Sequence, residues 1–417
     1  MNSTCNLLAP AGSWETLYAA IKAGADSVYF GLEHLNMRAR AARRLQLDDL
    51  PRLADVCRKN GVESYLAVNT LIYDQDFDLL QTILKNAADS GISAVIATDV
   101  AAISMARELG LSVHISTQAN ISNLRAVRFF SRYADVMVLA RELTLKQIRA
   151  ITQRIEEEQI TGAGGGLVQI ELFVHGALCV SISGKCGMSL ALTNHSANRG
   201  DCLQSCRRSY RVIDDATGEE LKVENRFVMS PRDLSTIHMI DQLIDAGVGV
   251  FKIEGRGRPA DYVYKVTRAY RQAIDACLNG SYTPEKRQNW QKELETVFNR
   301  GFWQGGYYLG EVVGEWSASY GSRATIEKVY LGHALNYFQK SGIGYFKIED
   351  SVVTCGDKVA IIGPTTGYAE TTVDSIFCDK EPVSIARPGM RITFPVQQKI
   401  RKNDKLYLLR PRQHFQS

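Results

Sequence analysis

The sequence predicts an α/β protein, a (β/α)8 TIM-like barrel followed by a small C-terminal all-β barrel domain. Three observations predict it. Short β-rich runs alternate with helical patterns over the first 280 residues. Those runs are nearly continuous in apolar residues, as a parallel sheet covered on both faces requires. From about residue 321 the texture changes to short alternating strands separated by turn signals.

The β-rich runs are CNLLAPA (5–11), SVYFG (27–31), ESYLAVN (63–69), AVIATD (94–99), SVHISTQ (112–118), DVMVLA (135–140), VQIELFVHG (168–176) and VFKIEG (250–255). Eight strands over about 255 residues suit a closed barrel. In the first helix, Trp14, Leu17, Tyr18 and Ile21 recur on one face, with Ser13 as N-cap and Gly24 as stop. The segments 98–110 and 230–247 repeat the pattern, with Pro231 expected in a first helical turn after Ser230. An open doubly wound sheet is the alternative. No G-x-G-x-x-G follows the first strand, which weighs against a dinucleotide site.

The alternation breaks once, after the seventh strand, where a Cys-rich loop (177–210) and a hairpin-like segment (210–230) are inserted. The expected organisation is a barrel over 1–280, a connector with a short helix over 281–320, and a β domain over 321–417. That domain carries no evident chemistry, so docking of substrate or packing against the barrel is its expected task.

An apolar content of 45% and a charged content of 23% are those of a soluble globular chain with a sizeable core. The N-terminal residues show no basic, apolar signal pattern, and no run approaches the roughly 18 apolar residues of a membrane span. A cytoplasmic protein with no membrane partner is therefore expected. The net charge of +4 is less informative than its distribution. NMRARAARR (36–44) holds four arginines and no acid, and 252–271 holds six basic and two acidic residues. A third cluster, Arg199, Arg207, Arg208 and Arg211, surrounds the cysteine loop. Such clusters either face phosphates or are solvated surface.

Four of the nine cysteines, Cys179, Cys186, Cys202 and Cys206, fall within 28 residues with the spacing C-x6-C-x15-C-x3-C. In a reducing compartment this argues for a metal or catalysis over disulfides. Only one pair has knuckle-like spacing for zinc, whereas an iron–sulfur cluster accepts irregular spacing from a wrapped loop. Lys185, Arg199, Arg207 and Arg208 would stabilise thiolates. Iron–sulfur, zinc and metal-free readings stay open on the residues alone. His175 and His195 are possible accessory ligands. The remaining five cysteines read as structural; Cys277, for example, follows the apolar face of Val263, Val266, Tyr270 and Ala273.

There is no H-E-x-x-H and no G-x-S-x-G, so the common zinc and serine hydrolase signatures are missing. A thiol protease pairing Cys179 with His175 stays open on sequence grounds. A barrel keeps its active site at the C-terminal strand ends. Those ends are Gly31, Asn69, Asp99, Gln118 with Asn120, Arg141 with Glu142, His175, Ser230, and Glu254 with Arg256. Asp99 is equally suited to capping the next helix. Glu254, Arg256, Arg141 and His175 are the candidate catalytic residues; Asn69, Gln118, Asn120 and Arg258 are the candidate substrate contacts. The arginines of KIEGRGR suit carboxylates or phosphates, and the glycines allow close approach of a ligand to the backbone; a structural salt bridge from Glu254 is the alternative.

Taken in order, LLAPAGSWETLYAAIKAGADSVYFG (7–31), LARELTLKQI (139–148), LFVHGALC (172–179), NRGDCLQSCRRSY (198–210) and FKIEGRGRPADYVYKVTRAYRQAID (251–275) resemble the collagenase-like peptidase family. That family also holds bacterial tRNA uridine hydroxylation proteins and relatives in rRNA and ubiquinone-precursor hydroxylation. The chain length and the HGALC…C-x3-C arrangement are most similar to the tRNA-modifying members. The resemblance implies hydroxylation of the wobble uridine of tRNA to 5-hydroxyuridine, with prephenate as co-substrate. It also implies a [4Fe–4S] cluster on Cys179, Cys186, Cys202 and Cys206, the fourth ligand being placed differently among members.

Overall fold

The computed structural model describes residues 5–39, 45–182, 185–211, 213–220, 229–310, 316–317 and 321–412. Eight parallel strands close into a barrel: β1 (Asn6–Pro10), β2 (Ser27–Phe30), β3 (Glu63–Val68), β4 (Ala94–Ala97), β5 (Ser112–Ile115), β6 (Val136–Val138), β7 (Gln169–Gly176) and, after a short β8 (Asp233–Ser235), β9 (Val250–Ile253). Neighbours in sequence pair around the ring, for instance Leu8 opposite Ser27. The ring is sealed by β9, which lies between β7 and β1, with Val250 opposite both Glu171 and Asn6. The eight strands expected from sequence are these eight.

Period-2 alternation divides the barrel residues between two layers. Leu8, Tyr29, Tyr65, Ala94, Ile96, Val136 and Val250 form one small buried cluster inside the ring. Their neighbours Leu7, Val28, Phe30, Leu66 and Val95 belong to the larger core between strands and helices. Helix α1 (Trp14–Lys22) starts where Ser13 caps the Thr16 amide, and Leu17 and Ala20 are buried against the strands. The ring of helices continues with α2 (Leu50–Lys59), α3 (Phe77–Ser90), α4 (Val100–Glu108), α5 (Leu124–Phe130) and α6 (Leu145–Glu157). Asp99 accepts from the Ala101 amide and so caps α4.

The inserted segment contains the short α7 (Met188–Thr193). The hairpin expected over 210–230 is represented by one antiparallel bridge, Ile213 to Glu220. Residue 212 and residues 221–228 of that segment lie outside the described residues. The helix expected from Pro231 onward does not form there. Residues 233–235 are strand β8, antiparallel to β7, with His175 opposite Ser235. Helix α8 spans only Ile240–Asp245. Sheet pairing and the ion pair of Asp233 with Arg300 at 3.3 Å override a local sequence that reads as a helix start. The last barrel helix, α9 (Ala260–Leu278), leads to α10 (Pro284–Glu295), and β10 (Phe302–Gln304) then adds a parallel strand to β8.

The C-terminal region is all-β. An antiparallel sheet is built from β11 (Ile326–Phe338), β12 (Ile343–Ile348), β14 (Lys358–Gly363), β15 (Gly367–Thr372), β16 (Ile376–Cys378), β17 (Glu381–Val383), β19 (Arg391–Pro395) and β20 (Lys405–Pro411). A ribbon of β13 (Val353–Thr354) and β18 (Ile385–Ala386) accompanies it. Its own core includes Phe346 stacked on Phe394, ring centroids 4.4 Å apart. This region packs on the flank of the barrel: Lys22 donates to the Thr366 carbonyl at 2.6 Å, Lys265 pairs with Glu370 at 3.1 Å, and Tyr264 meets Tyr368. Among the described residues, no helix is long and apolar enough to cross a membrane.

Candidate functional site

A cavity of about 350 Å³ opens at the C-terminal ends of the barrel strands. Of the sequence candidates, Asn69, Gln118, Arg141, Glu254, Arg256, Arg258 and all four clustered cysteines line it. Its lining also includes Arg38, Arg207, Arg300 and Lys252; among the described residues, Arg300 is paired with Asp233 and Lys252 with Glu171, which leaves five arginines around one lining carboxylate, Glu254. Such a surplus in a concave site favours anions.

Arg38 follows β2 and crosses the mouth, its Nη2 lying 2.9 Å from Oε1 of Glu254 at the end of β9. Burial alone would raise the Glu254 carboxyl, but Arg38, Arg258 and Arg141 outweigh it and hold the group down at about 2. Glu254 is therefore a fixed anion that positions Arg38, not a proton carrier near neutral pH. Arg256 is almost enclosed, donates to Asn36 Oδ1 at 3.2 Å, and burial pulls its guanidinium down to about 10. Its carbonyl comes so close to Gly12 that a Cβ there would lie 1.9 Å away, which explains a glycine at the end of the first strand. Arg141 stacks on Phe173 at 4.0 Å, and Arg258 on Phe298 at 3.6 Å, so both guanidinium planes are pre-set. The side chains of Asn69 and Gln118 meet at 3.4 Å, and Gln118 Nε2 donates to the Asn69 carbonyl at 3.3 Å, tying the ends of β3 and β5 together.

Beneath these groups, inside the barrel, Lys252 donates to Glu171 Oε1 at 2.5 Å; both side chains are almost fully buried. Burial lowers the Lys252 ammonium, and the adjacent carboxylate only partly restores it. Tyr29 and Phe173 flank the amine, their ring centroids 4.7 Å and 5.4 Å from Nζ. His114 Nδ1 lies 3.9 Å from Glu171 Oε2, and burial holds that imidazole down at about 3.

The cysteine segment folds over the mouth. It is tied to the β3–α3 loop by the Arg199–Asp76 ion pair, by Arg199 stacked on Tyr73 at 4.0 Å, and by the Leu71 amide donating to the Asn198 carbonyl at 3.0 Å. Cys179 is exposed and the other three are half-buried. Burial pushes the Cys206 thiol up; Arg207 opposes this, and Cys179, Cys202 and Cys186 add to it. Cys206 thus lies close enough to the other three cysteines to sense their charge. Their chemistry fits a thiolate-bound metal centre. Yet among the described residues no three or more His, Cys, Asp or Glu side chains stand in a metal-ligating arrangement. The cysteines share a wall, and residues 183–184 between Cys179 and Cys186 lie outside the described residues.

Two of the candidate catalytic and substrate-contact residues are not brought to this cavity. His175 is 1% exposed, with Nδ1 3.3 Å from the Tyr270 hydroxyl and its ring among Tyr262, Tyr270 and Phe302. The pairing of β7 with β9 shifts register between Phe173 and His175. That irregularity turns His175 from the inner face, shared by Glu171 and Phe173, to the outer layer. Burial leaves the imidazole neutral down to about 3. A thiol protease pair of Cys179 and His175 is therefore not assembled. Asn120 terminates a short turn in the left-handed conformation, with φ of 54°, outside the cavity lining. His195 lies 3.7 Å from Asp201 and does not line the cavity either. Of the first basic cluster, Arg38 reaches the site, whereas residues 40–44 lie outside the described residues.

Sequence reasoning missed Lys252 and Glu171 as site groups and saw Arg38 only as one member of a charge cluster. The available signal was a charged residue in the middle of an apolar strand, Glu171 in QIELFV and Lys252 in VFKI.

A collagenase of Porphyromonas gingivalis is 53% identical over 401 residues, 96% of this chain and 97% of the relative. The tRNA hydroxylation protein P1 of Bacillus subtilis is 30% identical over 408 residues, covering 94% and 92%. The 23S rRNA 5-hydroxycytidine C2501 synthase of Escherichia coli is 36% identical over 273 residues, 65% of this chain and 39% of that protein. The family model for Peptidase family U32 matches residues 12–317, the barrel with its cysteine segment, and the chain belongs to that family.

Proposed function

We propose that this chain hydroxylates RNA, and specifically the wobble uridine of tRNA to 5-hydroxyuridine, in the cytoplasm. The observation that carries the reading is the mouth itself, where four cysteines and a ring of guanidinium groups line one cavity. Relatives named for tRNA hydroxylation and for an rRNA hydroxycytidine synthase support RNA as the substrate class. An anticodon base is already unpaired, so bringing it to the cavity costs little unstacking.

Prephenate is the proposed co-substrate. It is a dicarboxylate, and Arg38, Arg141 and Arg258 offer the planar donors that carboxylates prefer. Arg256 and Asn36 brace the strand end, and Asn69 and Gln118 face the substrate. Cys179, Cys186, Cys202 and Cys206 would hold a [4Fe–4S] cluster, which would supply redox chemistry to the mouth. Loading it would draw the thiols from a shared wall into a closed set, as metal binding coupled to local folding does. Ribosomal RNA and a quinone precursor are alternative substrates for the same site.

A peptidase is the second reading, favoured by relatives at 53% and 47% identity that are named collagenase. Against it, His175, the base that the sequence offers for the exposed Cys179, is enclosed beside Tyr270. The test is nucleoside analysis of tRNA and rRNA from cells lacking the chain. Loss of 5-hydroxyuridine from tRNA is the expected result. Unchanged RNA, together with gelatin cleavage that survives chelation but not thiol alkylation, would replace hydroxylation with proteolysis.

A further inference from the structure

Lys252 has no part in the reading above, yet it lines the same cavity. It lies inside the barrel and is 4% exposed. One carboxylate, Glu171, holds it at 2.5 Å, and two aromatic rings wall it in. The Phe173 ring that flanks Lys252 also carries the Arg141 guanidinium on a face, 4.0 Å from the ring centroid. An enclosed amine and a fixed guanidinium beside one ring match a ligand with a carbonyl next to a carboxylate.

We propose that Lys252 is a nucleophile that forms an imine with a 2-oxo acid whose carboxylate is held by Arg141. The inference rests on the reading of the mouth as an anion site and is independent of the RNA reaction. The Lys252 ammonium gives a proton to Glu171, and the lone pair this frees then attacks the carbonyl carbon. A C–N bond forms while the carbonyl π pair moves to oxygen, which takes the proton from Glu171. Glu171 then takes a proton from the carbinolamine nitrogen and passes it to the hydroxyl, which leaves as water as the C–O bond breaks, and the nitrogen lone pair completes a protonated C=N bond. Amine and ketone become imine and water, with no change of oxidation state. Burial favours this step because the neutral amine is the nucleophile, and burial disfavours the ammonium.

The experiment uses the full chain, with pyruvate or phenylpyruvate as the probe and cyanoborohydride to reduce any imine, followed by peptide mapping. The expected result is one reduced adduct on Lys252, lost when excess succinate, a dicarboxylate without a ketone, competes for the guanidinium groups. Lys252→Arg should lose the adduct while keeping the thermal transition of the parent. Wild-type protein alone is decisive should that variant fail to fold. An unmodified Lys252 while exposed Lys59 carries adduct would overturn the proposal, as would labelling of Lys252 that succinate does not reduce. Either failure leaves RNA hydroxylation standing, because the readout involves no RNA.

Discussion

Arg38 and Glu254 meet across the mouth of the barrel at 2.9 Å, joining the loop after the second strand to the end of the last one. Their partnership sets the charge of the cavity. While Glu254 is ionised it holds Arg38 over the opening; among the described residues no other carboxylate pairs with Arg38.

Glu254→Gln should lower stability at pH 7 by about 1.5–3 kcal/mol, the range for hydrogen bonds to charged groups. The folded carboxyl is held at about 2, against an ordinary 4.5. A depressed folded value means that the contribution is complete above about 4.5 and is lost as pH falls through about 2. Urea unfolding at a series of pH values should show the gap between parent and variant closing over that window. A gap that stays constant would mean the ion pair is not its source.

His175 gives a second pH signature of opposite chemistry. Folded, it stays neutral down to about 3, whereas an unfolded histidine titrates near 6.5. The unfolded chain therefore binds the proton first. The contribution of His175 is whole above 6.5 and falls at about 1.4 kcal/mol per pH unit below it. His175→Phe, among Tyr262, Tyr270 and Phe302, should remove that share of the slope between pH 4 and 6.5, leaving the share of His114. An unaltered slope would place His175 in contact with solvent.

The Glu171–Lys252 pair should show strong non-additivity. Glu171→Leu alone strands a buried ammonium and should cost about 3–5 kcal/mol, whereas Glu171→Leu with Lys252→Met should cost far less. Chemical denaturation of the single and double variants measures the coupling. Additive losses would indicate that water, and not the pair, satisfies the two charges.

These groups mark where the sequence could and could not be read. The barrel strands were legible because their apolar runs are too short for helices and are bounded by turn residues. The C-terminal β strands were legible from alternation. Strand β8 was not, since three residues after Ser-Pro look like a helix start and only pairing with β7 decides otherwise. The withdrawal of His175 was invisible because a register shift in a strand leaves no local signature. The cysteine cluster was visible by count, but the arrangement of its sulfurs depends on tertiary contacts such as Arg199 with Asp76. Arg38 was legible as charge and not as a partner of Glu254, which lies 216 residues away.

Anaerobic reconstitution with ferrous iron and sulfide should protect Cys179, Cys186, Cys202 and Cys206 from alkylation together, leaving the exposed Cys355 reactive. In metal-free protein, Cys179 should react before the buried Cys57, whose thiol burial pushes up to about 12. Mass spectrometry of alkylated peptides reads both. Protection of fewer than three of the four would rule out a shared cluster.

The most direct test of the central claim, that the four-cysteine mouth carries RNA hydroxylation, is the 5-hydroxyuridine content of tRNA. Cells lacking the chain would be complemented with the parent or with Cys202→Ser, and their tRNA nucleosides quantified by mass spectrometry. The account predicts that the parent restores the modification and that Cys202→Ser, at equal protein level, does not. Full restoration by the variant, or tRNA that never lost the modification, would contradict it.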